Sequence, residues 1–406
     1  AGLEAGGPGA SRGAWIEGVD RFDAARFGIG GREAAAMDPQ HRLLLETALA
    51  ALERAGLEEA ALRGSRTGVY VGLCNNDYAQ RLLRDAGDPR VDATLGTGNS
   101  YSMAAGRIAY AFGLCGPAFA LDAACASSLL AVHLGVQAIR RGECERALVG
   151  GANLVLAPNP SLSFARMGVL SPSGRCRAMD ASADGYVRGE GCVVLVLEAL
   201  EAAMSAGRPI LAVIRGSAVR QNGAGNGVVA PSPAAQEAVI RAALLDAGVA
   251  PEEVGFLSAF GSGTALGDLA EVTAIERVFG GERRRAPLWL GLCKSNFGHG
   301  EGAAGATSLL LACEAIERGV IPPALLSLGP SPKLPWGVAR LPAAVEGWPE
   351  GPRIAGVSAF GFCGTNVHVV VAGPPSRAGS EVAPARRVTL SARSEPILRV
   401  WAGELA

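Results

Sequence analysis

The sequence predicts an α/β protein in which two similar halves each alternate strands with helices. Three observations support this prediction. Short apolar runs that end at small residues are each followed by a segment with the apolar spacing of a helix. The same order of elements is repeated from residue 211 onward. The 406 residues, 49% of them hydrophobic, are enough for a large core and for one or two domains.

The first half contains one long helix and several buried strands. The helix spans residues 32–55, is interrupted at Pro39 and stops before Gly56. Residues 97–112 predict glycine-rich turns with one short helix. Residues 161–191 predict a long irregular stretch, and such loops are often functional, although we favour a structural ion-pair network for its charges. The predicted strands are 67–73, 117–121, 147–153, which ends in a glycine turn, and 193–197.

The second half repeats this order of elements. Its predicted helices are 233–248, 269–279 and 303–318. Its predicted strands are 211–215, 254–259, 288–292, 354–360 and 366–371. We expect the last two strands to pair as an antiparallel hairpin around the glycine-containing segment 361–365.

Composition excludes several function classes. The net charge of −1 gives no electrostatic basis for binding nucleic acid or an anionic membrane. No apolar run reaches membrane-spanning length, and the N-terminus has no signal-peptide pattern. The nine cysteines are scattered, without a CxxC pair or a zinc-like spacing with histidine. We therefore expect reduced thiols, no bound metal and a cytoplasmic protein.

The candidate nucleophile lies in the stretch LDAACASSLL, residues 121–130. A strand over 117–121 precedes Cys125 and a helical pattern over 129–139 follows it, which predicts a strand-to-helix turn. At such a turn the helix dipole and unpaired N–H groups favour a thiolate. A single cysteine is also commonly a buried structural residue, and this stretch alone leaves both interpretations open.

The four histidines differ in their surroundings. His41 lies among charged residues, and we expect a surface or structural role. His133 follows Cys125 by two helical turns and is predicted to pack. His299 lies between two glycines in a loop, where structural and functional roles are equally open. His368 falls in the last predicted strand and is interpreted as structural.

Four motifs occur in an order that resembles the β-ketoacyl synthase family, namely residues 122–128, 260–268, 294–301 and 360–366. Further matches lie at 37–42, 96–107 and 185–191, and the resemblance covers about residues 14–372. The chain is similar to a ketosynthase domain of a modular type I polyketide synthase. This resemblance implies a thiolase fold with two α/β halves in a five-layer α-β-α-β-α arrangement.

The resemblance also implies an activity and partners. A ketosynthase takes an acyl chain from an acyl carrier protein onto its cysteine. It then decarboxylates a malonyl-type thioester, whose carbanion attacks the acyl-cysteine. The resemblance thus implies an acyltransferase without a bound cofactor, because its substrates arrive on the phosphopantetheine of the carrier. It further implies a homodimer and neighbouring megasynthase domains.

Each matching position receives a role from the resemblance. Cys125 is the nucleophile and acyl carrier. Its backbone N–H and that of Phe362 form the oxyanion hole, and the Phe362 ring gates the acyl pocket. Lys294 matches a lysine that supports the histidine network. His299 matches one of two histidines that hydrogen-bond the malonyl thioester oxygen.

The substrate-binding positions come from the remaining two motifs. Ser262 and Thr264 match the two hydroxyl positions that bind the phosphopantetheine arm. Phe360, which begins the last motif, is assigned to the same substrate-binding set. Cys363 replaces a glycine of the family, and a left-handed backbone there would strain it by roughly 1 kcal/mol or more. We interpret Cys363 as a tolerated small residue rather than as a redox partner.

One departure from the family decides the predicted function. The loop over 260–264 normally begins with the second catalytic histidine, but this chain has Phe260. A phenyl ring keeps the bulk and cannot donate a hydrogen bond, and losing one such donor typically costs on the order of 10²–10³ in rate. We therefore predict a domain that accepts an acyl chain on Cys125 and passes it on without elongation.

Two alternatives remain open. One is an active condensing enzyme in which another group replaces the missing histidine. The other is a non-catalytic domain that docks carrier proteins and dimerises the megasynthase.

The chain boundaries are also expectations. We expect a flexible leader over residues 1–13, the ketosynthase over 14–372, a linker over 373–386, and the start of a flanking subdomain over 387–406. This order indicates a piece of a longer polypeptide. The opening strand of the family is not evident before residue 14, and we expect it to precede this sequence.

Overall fold

The computed structural model describes residues 13–83, 93–375 and 399. The chain divides into two units, Ala1–Gly373 and Pro374–Ala406, and every element below belongs to the first. Most of the predicted leader, linker and flanking subdomain lies outside the described residues, so these boundaries stay predictions.

Helices and short strands alternate through the first unit. The α-helices are α1 Gly31–Ala36, α2 Pro39–Arg54, α3 Glu59–Leu62, α4 Asp77–Leu82, α5 Ala93–Asn99, α6 Tyr101–Phe112, α7 Ser127–Arg140, α8 Pro158–Arg166, α9 Leu200–Ser205, α10 Pro233–Ala247, α11 Ala265–Phe279, α12 Cys293–Phe297 and α13 Ala304–Arg318. The strands are β1 Thr67–Gly72, β2 Ala118–Leu121, β3 Arg146–Asn153, β4 Gly191–Glu198, β5 Val213–Gln221, β6 Phe256–Ser258, β7 Leu288–Gly291, β8 Val320–Ile321, β9 Ala339–Arg340, β10 Glu346–Gly347, β11 Ile354–Phe360 and β12 Thr365–Ala372.

The first sheet has the strand order β2-β1-β3-β4. Strand β1 is parallel to β2 and β3, and β4 is antiparallel to β3. Because side chains alternate along a strand, Val69 and Val71 pack toward one set of helices while Tyr70 packs toward the other. The sheet is therefore covered by helices on both faces.

The second sheet has the order β5-β12-β11-β6-β7-β9. Strand β6 is parallel to β7 and β11, and β12 is antiparallel to both β11 and β5. The predicted hairpin of the last two strands is thus confirmed. Strands β8 and β10 form a separate antiparallel pair.

Helices α7 and α13 lie between the two sheets, because α7 packs on β1 and β3 while α13 packs on β11 and β6. Helices α2 and α6 cover the outer face of the first sheet, and α10 and α11 cover that of the second. Three separate apolar clusters fill the spaces between these layers. The predicted five-layer α-β-α-β-α arrangement is confirmed.

The two halves share a core of four strands and one central helix, to which the second half adds β5 and β9. In each, a first strand pairs in parallel with two later ones, a central helix follows the second strand, and an antiparallel strand ends the unit. The order β1, β2, α7, β3, β4 in the first half matches β6, β7, α13, β11, β12 in the second. Each central helix follows a 3₁₀ turn, Ala124–Ala126 or Glu301–Ala303.

The interruption predicted at Pro39 is confirmed. Helix α1 ends before it, and the Asp38 side chain caps α2 by accepting from the Gln40 N–H at 2.8 Å. Gly56, with φ +66°, follows the end of α2 in the left-handed conformation that glycine favours.

Several predicted elements need correction. The short helix expected within 97–112 is the full helix α6, because the buried Ile108 and Phe112 extend its apolar face. The irregular stretch 161–191 begins inside helix α8. The strand expected over 211–215 is β5, which starts later and is longer.

The glycine turn expected at the end of 147–153 is also wrong. Gly150 and Gly151 lie inside β3. A Cβ at Gly150 would stand 1.9 Å from the Val193 carbonyl oxygen, and one at Gly151 would stand 2.6 Å from that of Gly72. These glycines permit close strand packing rather than a turn.

Within the described ranges, every helix is too short or too polar to span a lipid bilayer.

Candidate active site

Cys125 lies in the 3₁₀ turn between β2 and α7, as the sequence predicts. The turn is held by short local hydrogen bonds. The Ser127 hydroxyl accepts from the Ala123 N–H at 2.9 Å and donates to the Ala124 carbonyl at 2.6 Å. The Asp122 carboxylate accepts from the Ala124 N–H at 2.8 Å. These bonds hold Ala124 at φ +52°, a conformation that residues other than glycine rarely adopt.

The His299 ring lies beside the Cys125 sulfur. Its Nε2 lies 3.1 Å from the Cys125 Sγ, and its Nδ1 lies 3.1 Å from the Glu301 backbone nitrogen. A backbone N–H can only donate, so Nδ1 is the acceptor and Nε2 carries the hydrogen. Burial, with the nearby Lys294 and Arg188 cations, lowers the pKa of His299 well below its usual range. A neutral imidazole therefore points an N–H at the sulfur.

The protonation state of Cys125 corrects the expectation of a resting thiolate. Burial raises the pKa of the thiol to about 12, and the Glu301 carboxylate acts in the same direction while Lys294 opposes it. Although Cys125 lies just before α7, it therefore rests as a thiol.

Phe260 packs against both His299 and Lys294. Its ring meets the His299 ring edge-on, with centroids 5.6 Å apart and planes at 86°. The Lys294 Nζ lies 3.8 Å from the Phe260 ring centroid and donates to the Phe260 carbonyl oxygen. On another side, the Phe360 ring lies 5.7 Å away. The three predicted positions 260, 294 and 299 thus meet beside Cys125.

A buried carboxylate fixes the start of the Phe260 loop. The Glu271 oxygens accept from the backbone N–H groups of Phe260 at 2.6 Å and Gly261 at 2.7 Å. Burial raises the pKa of Glu271 to about 7, against the lowering effect of these hydrogen bonds. Burial also lowers the pKa of Lys294. Sequence reasoning did not identify Glu271, which lies inside helix α11 with no motif around it.

The hydroxyls of Ser262 and Thr264 pair at the start of helix α11, which Thr264 caps. The two oxygens lie 2.8 Å apart, and Thr264 Oγ1 accepts from the Gly267 N–H. Ser262 Oγ also donates to the buried Asp268 carboxylate at 3.2 Å. Their predicted role toward phosphopantetheine stays a prediction, and it requires that a ligand exchange with these internal bonds.

The loop over 361–364 lies against the nucleophile turn. A Cβ at Gly361 would stand 2.3 Å from the Ala123 carbonyl oxygen, so only glycine permits this approach. Gly364 adopts φ +88°, while Cys363 has no left-handed backbone and none of the strain considered for it. The Phe362 ring is half exposed and meets the Phe164 ring edge-on at 6.5 Å.

The Gln221 side chain, which sequence reasoning did not single out, supports this loop. Its Nε2 donates to the Cys363 carbonyl at 2.7 Å, and its Oε1 accepts from the Thr365 hydroxyl at 3.2 Å. The β5–β12 pairing places Gln221 opposite Thr365. A signal for this contact is absent from the sequence, because 142 positions separate Gln221 from Cys363.

A buried ion pair connects Arg188 with Glu301 behind His299. The Arg188 Nε and Nη2 atoms lie 2.5 Å and 2.9 Å from the two Glu301 oxygens. Both side chains are almost fully buried, at 3% and 6% exposure. Arg188, in the stretch 161–191, thus forms a buried ion pair, but its acidic partner lies outside that stretch. Whether the stretch is structural or functional stays a prediction.

The other histidines are structural. His41 is buried, and burial lowers its pKa to about 3. The His133 Nδ1 packs 2.9 Å from the Ser217 hydroxyl, and the His368 Nδ1 lies 3.0 Å from the Ser358 hydroxyl. In the part of the chain that the structure describes, no cluster of His, Cys, Asp and Glu has the arrangement of a metal site.

Comparison with known families matches two models along the chain. Residues 4–203 match the N-terminal domain of β-ketoacyl synthases, and residues 211–327 match the C-terminal domain. Together they cover more than half of the chain.

Named relatives agree with this match. The spectinabilin polyketide synthase system protein NorC of Streptomyces orinoci is 46% identical over 97% of this chain, and the erythronolide synthase EryA3 of Saccharopolyspora erythraea is 45% identical over 98%. The chain spans only 18% and 13% of the lengths of these two relatives.

Solved structures show the same likeness. The oxazolomycin ketosynthase domain OzmH KS7 of Streptomyces albus JA3453 has a TM-score of 0.89 and 37% identity, covering 96% of this chain and 69% of that one. The ketosynthase from module 6 of the bacillaene synthase of Bacillus subtilis 168 has a TM-score of 0.87 and 34% identity, covering 96% and 67%. The chain therefore belongs to the β-ketoacyl synthase family, with the thiolase-like fold of a modular polyketide synthase ketosynthase domain.

Proposed function

We propose that this ketosynthase domain accepts an acyl chain from an acyl carrier protein on Cys125 and passes it on without decarboxylative elongation. The observation that carries the proposal is the phenyl ring of Phe260, packed between His299 and Lys294. At the position where the family has a second histidine, this ring offers no hydrogen-bond donor.

Decarboxylation needs donors that the site lacks. Loss of carbon dioxide from a malonyl thioester places negative charge on the thioester oxygen, and preorganised donors stabilise that charge. The His299 Nε2–H can serve as one donor. With Phe260 in place of the other donor, we expect the step to be slower by on the order of 10²–10³.

Acyl transfer to Cys125 does not require the second hydrogen-bond donor. The Cys125 Sγ attacks the thioester carbonyl of the acyl-phosphopantetheine, and a new carbon–sulfur bond forms as the old one breaks. The Cys125 proton leaves with the pantetheine thiol, so acyl-cysteine and a free carrier thiol are the products. The backbone N–H groups of Cys125 and Phe362 are assigned to the developing oxyanion. Return to another carrier thiol is the same exchange in reverse.

Partners follow from the same proposal. Acyl carrier protein domains supply and remove the chain, and neighbouring domains of a megasynthase hold them close. We also propose a homodimer. Strand β2 supports it, since among the described strands β2 lies at an edge of its sheet and carries the exposed Phe119.

The proposal is tested by loading Cys125 with an acyl-pantetheine thioester and then adding a malonyl-loaded carrier protein. Intact-protein mass spectrometry should show an acyl adduct on the domain, which a second carrier thiol removes. No β-ketoacyl product should form. Appreciable β-ketoacyl product would instead establish the active condensing alternative, and no adduct with any acyl thioester would favour the non-catalytic docking domain.

The Phe260→His variant tests directly whether the phenyl ring of Phe260 limits decarboxylation. We expect it to gain measurable decarboxylation of the malonyl thioester, because an imidazole donor returns beside His299. Phe260→Leu is the matched control, since it changes the ring without adding a donor and should gain nothing. An equal gain in both variants would show that the missing donor is not what limits decarboxylation.

A further inference from the structure

We propose that Arg188 is a positioning residue, which acts through Glu301 to hold His299 in the tautomer that directs Nε2–H at Cys125. The inference rests on the proposed function only in taking Cys125 as the acyl acceptor. The inference concerns how this chain orients the His299 Nε2–H donor. It gives a role to the Arg188–Glu301 ion pair, which takes no direct part in acyl transfer.

The Glu301 backbone is the direct link to the His299 ring. Glu301 has φ +40°, in the left-handed region where a residue with a side chain is strained. That conformation turns its N–H toward His299 Nδ1 at 3.1 Å. A relaxed Glu301 backbone would turn this donor away, and Nδ1 would then be free to carry the hydrogen.

Side-chain contacts maintain the strained conformation. Arg188 binds both oxygens of Glu301, and the Asn75 amide donates to Glu301 Oε2 at 2.5 Å. The Arg188 Nη1 in turn donates to the Ser161 hydroxyl at 2.8 Å. A buried carboxylate that lost its guanidinium partner would be strongly destabilised, so Arg188 constrains where Glu301 can lie.

The segment around Arg188 also holds the His299 backbone. The His299 N–H donates to the Val187 carbonyl at 2.7 Å, and the Gly189 N–H donates to the His299 carbonyl at 2.9 Å. Gly189 has no room for a side chain, because a Cβ there would stand 2.5 Å from the Phe297 carbonyl oxygen. Residues 187–189 therefore fix both the histidine backbone and, through Arg188, the tautomer of its ring.

The tautomer of His299 affects the reactivity of the Cys125 sulfur. An Nε2–H aimed at Sγ stabilises the negative charge that remains when the Cys125 proton leaves. An unprotonated Nε2 could only accept that proton, and it would be a weak base because burial lowers the pKa of His299 while raising that of Cys125. A hydrogen bond to a charged group contributes enough for roughly a tenfold change in rate. We therefore expect Arg188 to influence Cys125 reactivity without contacting the cysteine.

The first test measures the tautomer in the wild-type chain. Histidine labelled with ¹⁵N gives long-range ¹H–¹⁵N correlations, and the chain has only four histidines to assign. A His299→Gln variant identifies the His299 signals. We expect an unprotonated Nδ1 and a protonated Nε2 at neutral pH. A protonated Nδ1 in the wild-type chain would overturn the proposal without any Arg188 variant.

The second test removes the ion pair. Arg188→Lys keeps a charge but cannot bind both carboxylate oxygens in the same plane. The double variant Arg188→Gln with Glu301→Gln removes both buried charges, which guards against unfolding by one unpaired charge. Both variants should shift the His299 Nδ1 signal toward the protonated form. In both variants, iodoacetamide should alkylate Cys125 about tenfold more slowly at neutral pH. Peptide mass mapping measures this rate.

Arg146→Gln is the matched control. It breaks a different arginine–glutamate pair, in which the Arg146 Nε lies 2.7 Å from the Glu198 carboxylate. Arg146 begins β3, and Asn153 ends it. This control should leave the His299 signals and Cys125 alkylation unchanged. A folded double variant that keeps wild-type His299 signals and alkylation would overturn the proposal. If the tautomer depends on Arg188 but Cys125 accepts no acyl thioester, the proposed function fails and the positioning role stands.

Discussion

The two turns that precede the central helices have a similar backbone conformation, but different contacts hold each of them in place. Ala124 at φ +52° begins the turn before α7, and Glu301 at φ +40° begins the turn before α13. The next residue is Cys125 in the first half and Gly302 in the second. The first turn carries Cys125, the proposed nucleophile, and the second contacts the ring of His299, which faces it.

Support for the first turn is local, whereas support for the second comes from far along the chain. The Asp122 and Ser127 side chains hold Ala124 from two or three residues away. Glu301 is held by Arg188, which lies 113 positions earlier in the sequence. One strained turn geometry can thus be kept either by its own residues or by a buried charge from another segment.

The Cys125→Gly variant places in the first turn the glycine that the second turn has at Gly302. This variant should have the largest effect on acylation. We expect complete loss of the acyl adduct in intact-mass measurements, because the attacking sulfur is gone. Cys125→Ala is the control for the added backbone freedom of glycine, which costs roughly 1 kcal/mol of stability. An adduct that persists in either variant, for example on Cys363 by peptide mapping, would contradict the assignment of the nucleophile.

Glu271→Gln tests a carboxylate in the second half through pH. Because burial raises the pKa of Glu271 from 4.5 to about 7, the folded chain retains a proton that the unfolded chain has lost. This contribution to stability is present below pH 4.5 and is lost as pH rises to about 7. The free energy of unfolding of the wild type, measured with denaturant, should fall relative to that of Glu271→Gln by up to roughly 3 kcal/mol between these two pH values. A constant or growing difference would contradict the raised pKa.

Local patterns were sufficient to predict much of the fold. The strand-to-helix turn at Cys125, the stop before Pro39 and the final hairpin all follow from neighbouring residues. The glycines of β3 were misread, because the close strand contacts that require them come from residues distant in sequence. Periodicity alone could not distinguish a glycine needed for packing from one needed for a turn.

The candidate site shows the same limit. Recognised motifs supplied Cys125, His299 and Lys294, and the structure brings them together. Glu271 was not identified because it is an ordinary charged residue until the fold buries it. Arg188 lies in the matched motif 185–191, but its pairing with Glu301 follows only from the fold. The resting state of the thiol was also misjudged, since the sequence shows a helix start but not the desolvation that opposes it.

Ser127→Ala should have the smallest of these effects and tests the local support itself. The fully buried hydroxyl satisfies the Ala123 N–H and the Ala124 carbonyl, and its loss should cost about 1–3 kcal/mol of unfolding free energy. Thr307→Val in α13 is the control, because that hydroxyl only adds a bond to the Ala303 carbonyl one turn earlier, and we expect a change within about 0.5 kcal/mol.

Acylation of Cys125 should also slow in Ser127→Ala, because Ala124 can then leave φ +52° and carry the sulfur away from His299. Denaturant unfolding and the acylation rate are measured on the same samples. A destabilised variant with an unchanged acylation rate would mean that Ser127 supports the fold but not the geometry of the turn. The first turn would then owe its shape to Asp122 alone, and the contrast with the Arg188-supported turn would become sharper.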